Sequence, residues 1–283
     1  MNKVAAVIVL YNPDDLVMGN INSYINQVDK LFVVDNSENI NNNLAEKISL
    51  LDNAEYVYNK SNIGIAAALN IGARIALEEG FDYLLTMDQD SKASSGMVEK
   101  LLKIINTSDK IGIVAAEHVN PDIQEEPKTK IIKEIVYTMT SGNLVNLSAY
   151  KEVGGYLEKL FIDHVDHEFC LRLNRYGFKI IKAFCAVVYH KVGTASKKKF
   201  FNHYLYPTNH SPVRIYYRTR NRFFVDNLYK NIFPGYIKED RKNMRRELLE
   251  IMLYDDQRIK KITLMIKGFW DYRGNRFGKV ILK

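Results

Sequence analysis

Along about the first 115 residues, apolar positions come in short continuous runs separated by amphipathic stretches. KVAAVIVLY (3–11), LFVVDNS (31–37), YVYN (56–59), YLLTM (83–87) and IGIVAA (111–116) have the pattern of strands covered on both faces. Residues 15–28 carry Leu16, Ile21, Tyr24, Ile25 and Val28 near helical spacing. GIAAALNIGARIALEE (64–79) is an Ala-rich helix pattern closed by Gly80, and residues 94–105 give another helix. This alternation predicts βαβ crossovers and an α/β fold with a mainly parallel sheet, whose ligands bind beyond the carboxyl ends of the strands. Tyr11, Asp35, Asn36, Asn62, Asp88 and Asp90 lie at or just past strand ends, so they are expected along one edge of the sheet.

After Pro121 the pattern changes. NPDIQEEPKTK (120–130) reads as a polar loop, and VYTMTSGNLVN (136–146) as a strand or two. FIDHVDHEFCLRLNRYGFK (161–179) opens on acids and histidines and continues as a helix to Gly177; IIKAFCAVVYH (180–190) is another strand, and KKK (197–199) falls in a mobile loop. From 213 onward the reading is helical, broken at Pro234-Gly235, with Met244, Leu248, Met252, Ile259, Ile262, Ile266 and Phe269 near helical spacing among Lys and Arg. The expected organisation is an α/β domain over 1–212 and a basic helical region over 213–283.

Charge sharpens that division. The chain of 283 residues carries a net +7. Val213–Lys283 has 18 Lys+Arg against 8 Asp+Glu, which is +10, leaving 22 against 25, or −3, for the first 212 residues. The basic region points to an anionic partner. YYRTRNRFF (216–224) interleaves Arg and aromatics as a base-stacking platform would, but no recognition motif accompanies it. Basic amphipathic helices more often lie on anionic lipid, so the expectation is peripheral membrane contact and no nucleic acid. The same helices offer a surface for a homodimer. Cys170 and Cys185 sit in apolar segments without zinc-site spacing and read as thiols of a reducing cytosol. The N-terminal apolar run lacks a cleavage site, and no stretch reaches the roughly 20 apolar residues that span a bilayer. The expected location is the cytoplasm, with attachment at the inner face of the membrane.

Candidate chemistry centres on TMDQDS (86–91). Asp88 and Asp90, two apart in an extended segment, share a face and repel, and a divalent cation would relieve that repulsion. Mg²⁺ favours one or two carboxylates completed by phosphate oxygens and water. A lone Asp-x-Asp is as easily a solvated turn, but this one ends a buried strand at the expected ligand edge. With VIVLYNP, VVDNS, NKSNIGIAAALNIG, SGNLVN, VDHEFCLR and VVYHKVG in the same order, the chain resembles the family 2 glycosyltransferases over roughly residues 3–225, and their bacterial rhamnosyltransferase branch in particular.

The resemblance implies a GT-A fold and a set of roles. Tyr11 would pack on the nucleotide base, and Asp35 or Asn36 would bond the base and ribose, with Asp-Asn standing where many relatives have Asp-Asp. Asn62 and Gly64 would serve the nucleotide, although an Asn there is equally a cap for the following helix. Asp88 matches the ribose- or phosphate-side carboxylate, Asp90 the metal ligand, and His190 a position that completes the metal or diphosphate site. An imidazole there favours tolerance of Mn²⁺ beside Mg²⁺. Asp166 matches the general base, with Asp163 in reserve; His164 and His167 depart from the common pattern. Ser141, Gly142, Glu168 and Arg172 would line the donor-sugar and acceptor site, the alternatives being a turn at Ser141-Gly142 and a salt bridge at Arg172.

The implied activity is inverting, metal-dependent transfer of a sugar, L-rhamnose from dTDP-rhamnose, to a saccharide or lipid-linked saccharide in bacterial cell-surface polysaccharide synthesis. One alternative keeps the mechanism with a UDP-sugar donor. A remote one is a phosphatase with Asp88 as nucleophile, disfavoured because such a loop usually follows the first strand.

Overall fold

The computed structural model describes residues 2–120, 131–190, 198–200, 203–205 and 207–281. β1 (Val4–Leu10), β2 (Lys30–Asp35), β3 (Ala54–Tyr58) and β4 (Tyr83–Asp88) lie in the order β3-β2-β1-β4, all parallel. β1 is central in this set, and Ala5, Ala6, Val7, Ile8 and Leu10 are fully buried, which is why its apolar run shows no alternation. α3 (Ile65–Glu78) covers it closely: a Cβ at Gly72 would run into Val7, so the glycine sets the helix-to-sheet distance.

Beyond β4 the sheet becomes mixed. β8 (Asn143–Asn146) is antiparallel to both β4 and β6 (Ile111–Val119), and β6 is parallel to β9 (Lys179–His190). β9 also carries β5 (Ser91–Ala93) and β7 (Ile132–Ile135), both antiparallel. α4 (Met97–Ile105), α5 (Leu147–Val153) and α6 (Val165–Arg175) complete this part of the chain.

Several local expectations are corrected. Residues 15–28 form α1 (Val17–Ile21) and a separate 3-10 turn (Ile25–Gln27), because the Ser23 hydroxyl donates to the Asn20 carbonyl at 2.6 Å and competes with the helix. Tyr24 and Ile25 are buried nonetheless. α2 (Asn42–Ser49), β5, β7 and α5 are elements the pattern did not announce, whereas 136–146 yields one strand, β8, within the one or two expected. Apart from Asn120, the polar loop read at 120–130 lies outside the described residues, as does Lys197. Lys198–Phe200 form β10, antiparallel to β11 (His203–Leu205), where a loop was expected.

The chain divides into two compact units: Met1–Glu158 with Phe169–Lys191, and Lys159–Glu168 with Val192–Lys283. The second is built on α7 (Pro212–Tyr229), α8 (Pro234–Tyr254) and α9 (Arg258–Arg273). Pro234 opens α8, where its missing N–H costs nothing. α7 and α9 touch at Gly268, whose absent Cβ would stand 2.8 Å from the Tyr216 carbonyl. Phe161, Tyr216, Tyr217 and Leu264 form the unit's apolar core. Around it, ion pairs link Arg222 to Asp240 and Glu247, and Lys261 to Asp255. Neither cysteine is in a disulfide. Among the described residues no helix is long and apolar enough to cross a membrane.

Candidate active site

Because β1, β2 and β4 are parallel neighbours, the residues that follow them gather at one edge of the sheet. Tyr11 stands there 45% exposed, and its backbone is tied to the Asp-x-Asp segment by the residue between the acids. The Gln89 side chain accepts from the Tyr11 N–H at 2.9 Å and donates to its carbonyl at 3.4 Å. The Gln89 carbonyl in turn accepts from the Asn20 amide at 2.7 Å. Sequence reasoning missed Gln89, although a long amide held between two short carboxylates was the available signal.

Asp35 and Asn36 reach the same edge but are buried. The Asp35 carboxylate accepts from the Ser37 N–H at 2.8 Å and from the Tyr56 hydroxyl, whose pKa is raised by burial and by that carboxylate. The Asn36 side chain donates to the Gly64 carbonyl at 3.1 Å and accepts from Asn59 at 2.8 Å. Asn62 folds onto its own chain, accepting from the Gly64 N–H at 2.9 Å, and Gly64 enters α3 at a φ of 89°, a conformation that favours glycine. These residues therefore build the edge through bonds to one another.

The carboxylate pair is different. Asp88 ends β4, and its N–H donates to the Ser141 hydroxyl at 3.1 Å. Asp90 has a side chain 61% exposed and pairs with Nδ1 of His190 at 3.3 Å. The β5·β9 ladder makes this meeting: Ser91 opposes His190, so the chain leaving the motif brings the end of β9 onto it. The Asp90 bond raises the His190 pKa, burial opposes it, and the charges of Asp90 and Asp88 add to the rise. Gly142 brings β8 in beside β4 with a φ of 74°, and its N–H donates to the Thr86 carbonyl at 2.8 Å. A Cβ there would press on Val188 and Ala116. Neither ring nitrogen of His118 makes a hydrogen bond of normal geometry among the described residues. Burial first, then Lys182 and His190, push its pKa down to about 4. Nothing in the sequence marked His118.

In the second unit, Phe161, Asp163 and His164 all hold φ near +60°, at 67°, 62° and 61°, an uncommon run for non-glycine residues. α7 holds the turn in place. The Asn221 amide donates to the carbonyls of Leu160 and Ile162 at 2.8 Å and of Asp163 at 2.9 Å. The buried Arg220 guanidinium donates to the carbonyls of Leu160 at 3.1 Å and Gly278 at 2.9 Å. The turn feeds the first turn of α6, which carries Asp166 and Glu168, where the helix dipole favours acids.

The acids on this segment have separate fates. Asp163 is paired with Arg214 at 3.3 Å and Arg218 at 3.5 Å, its side chain 9% exposed. Glu168 is buried and accepts from the Tyr229 hydroxyl at 2.8 Å. Asp166 is half-buried and accepts from the His167 N–H at 2.9 Å; among the described residues no cation is paired with it. His164 approaches Asp240 at 3.6 Å, and His167 shares a 2.7 Å bond with the Tyr236 hydroxyl. Farther along α6, in the first unit, Arg172 donates to the carbonyls of Val153, Gly154 and Gly155 and so anchors the helix to the end of α5.

A buried sheet edge ending in Asp-x-Asp, followed by an acid-led helix, is matched by the sequence pattern of glycosyl transferase family 2 over residues 5–170. The chain belongs to that family. It is 30% identical to the dTDP-rhamnosyl transferase RfbF of Shigella flexneri over 82% of either chain. Among solved structures, GalNAc-T7 with UDP, GalNAc and Mn²⁺ superposes with a TM-score of 0.63 at 16% identity, over 97% of this chain and 56% of that one, so this chain spans little more than half of that relative. Staphylococcus aureus TarS 1–349 in complex with UDP-GlcNAc gives 0.55 at 14% identity, over 96% and 73%. These likenesses establish a GT-A fold, and the molecule is a glycosyltransferase resembling the rhamnosyltransferases.

Proposed function

We propose that this glycosyltransferase moves L-rhamnose from dTDP-L-rhamnose to a saccharide or lipid-linked saccharide of a bacterial surface polysaccharide, inverting C1 and using Mg²⁺ or Mn²⁺. The donor assignment is supported by the 30% identity to a dTDP-rhamnosyl transferase. The observation that carries the reading is Asp90: a solvent-open carboxylate at the end of a buried parallel strand, beside Asp88 and bonded to His190.

These residues fit a metal held jointly with the donor. Among the described residues no three His, Cys, Asp or Glu side chains form a metal-holding group, and Mg²⁺ commonly completes its shell with phosphate oxygens and water. Asp90 and Asp88 would hold the ion, with His190 beside them once its proton is displaced. Bound there, the ion would offset charge on the departing diphosphate.

Tyr11, Asp35, Asn36, Asn62 and Gly64 form the nucleotide side of the site in this reading. The first of these offers its exposed ring, and the others shape the backbone around it. Asp166 takes the proton of the acceptor hydroxyl as its oxygen bonds to C1; the bond from C1 to the diphosphate oxygen breaks, and dTDP leaves with that electron pair. The two guanidinium partners of Asp163 favour Asp166 as the base. Ser141, Gly142, Glu168 and Arg172 act as scaffolding for the sugar-binding region. Thermal stabilisation by a panel of nucleotide sugars with Mn²⁺ tests the donor: dTDP-rhamnose should raise the melting temperature and UDP-glucose should not. The reverse result would replace the donor assignment.

A further inference from the structure

α9 is a 16-residue helix, about 24 Å long, with an outer face that none of the described residues covers. Its inner side packs Leu264 and Gly268 into the helical unit. On the outer side, Ile259 is 80% exposed, Ile266 55% and Trp270 59%. With Thr263 they fall within about 60° of one another around the helix axis, so they form one apolar stripe rather than scattered contacts. Arg273 flanks the stripe on one side and Lys267 and Lys260 on the other, following the same helical spacing.

We propose that this face docks on an anionic phospholipid surface, with Ile266 and Trp270 entering the headgroup region and Lys260 and Arg273 meeting lipid phosphates, while Lys267 on the same rim stays paired with Asp271 at 2.7 Å. An apolar stripe with a basic rim and an exposed Trp is the arrangement that a bilayer interface stabilises. The charge of the region agrees: 18 Lys+Arg stand against 8 Asp+Glu over residues 213–283. A second copy of the chain fits less well. An antiparallel pairing of the stripe would set Lys260 of one copy on the same flank as Lys267 of the other, bringing like charges together. A nucleic acid would meet branched aliphatic side chains where stacking requires planar ones. The inference is independent of which donor or acceptor the site takes.

Trp270 is the only tryptophan of the chain, so the proposed contact carries its own reporter. The full chain should float with vesicles of phosphatidylcholine and phosphatidylglycerol at low salt, and not with phosphatidylcholine alone. Its emission should move to shorter wavelength, and iodide should cease to quench it. Ile266→Glu, at an exposed position that leaves the melting temperature unchanged, should abolish both effects. Lys260→Ala and Arg273→Ala should each weaken partitioning about fivefold. No flotation on the anionic vesicles, or flotation unaltered by Ile266→Glu, overturns the proposal. A wild-type dimer that Ile266→Glu dissociates, with no vesicle-induced shift, assigns the face to a second copy instead. None of these readouts needs donor or acceptor, so failure here and failure of the rhamnosyl-transfer reading are separable.

Discussion

Carboxylates at the sheet edge and in the helical unit are treated in opposite ways. At the edge, Asp90 has a side chain 61% exposed, and its ion-pair partner is an imidazole, which can surrender its proton. In the helical unit, Asp163, Asp240 and Glu247 are largely buried against Arg214, Arg218 and Arg222, which cannot. The first arrangement keeps an acid at the solvent side of the sheet edge; the second fixes helices. Arg222 holds both Asp240 and Glu247, and Arg218 holds both Asp163 and Glu247, so two guanidinium groups join α7, α8 and the turn before α6. Asp240 is held well down, at about 2, by His164 and Arg222 against the opposing effect of burial. Asp166, half-buried and with no cation paired to it among the described residues, is the acid of this unit that the proposed mechanism uses as its base.

Exchanging roles between neighbours is the strongest way to break this contrast. Asp166→Asn should lower kcat by about a hundredfold to ten-thousandfold, with melting unchanged. Asp163→Asn should do the opposite, lowering the melting temperature while the folded fraction keeps most of its kcat. A silent Asp166→Asn would move the base elsewhere. Next in size is Arg222→Leu, which takes one buried partner from each of Asp240 and Glu247, leaving them to His164 and Arg218, and should cost about 3–5 kcal/mol in denaturant unfolding. Asp90→Asn, at an exposed pair, should change stability by less than about 1 kcal/mol in the same experiment. A large loss there would mean that Asp90 is structural.

Asn221→Ala sharpens the account of the turn. Its amide serves three carbonyls of a segment with left-handed residues, so removal should destabilise by about 2 kcal/mol. It should also lower kcat more than donor KM, because the turn leads into the Asp166 helix start. Equal changes in both would reduce the turn to a structural part.

A pH limb gives a further test. The His167 imidazole, facing Asp166, His164, Asp240, Arg222 and Tyr236, has its pKa pushed down to about 4, chiefly by burial. An unfolded histidine titrates near 6.5. Between those values the unfolded chain holds a proton that the folded chain lacks. Stability from this group is therefore complete above about pH 6.5 and declines as pH falls toward 4, by up to about 3 kcal/mol. His167→Gln should flatten that limb in a series of melting temperatures, and an unchanged slope would contradict it.

Much of the fold was legible because long buried strands and an Ala-rich helix write their burial into continuous or periodic apolar runs. β1, α3, β4 and β9 are such elements. β5 was not legible: three residues carry no period, and the strand exists only because the distant end of β9 pairs with it. That pairing also explains why His190 could be proposed from resemblance but its bond to Asp90 could not be derived. α2 was missed because its polar Asn-rich start, capped by Asn41 on the Leu44 N–H, hides the buried Leu44 and Ile48. The resemblance ranked Asp166 ahead of Asp163, but the ion pairs that set Asp163 apart could not be derived, since Arg214 and Arg218 are about 50 residues away along the chain.

The account turns on the sheet-edge carboxylates gripping a cation that carries a nucleoside diphosphate. Calorimetric titration of dTDP into the full chain, with Mn²⁺ and with EDTA, measures this directly for the wild type and for Asp90→Asn. Binding should require Mn²⁺ and fall sharply in the variant. Equally tight binding in EDTA, or in Asp90→Asn with Mn²⁺, would contradict it.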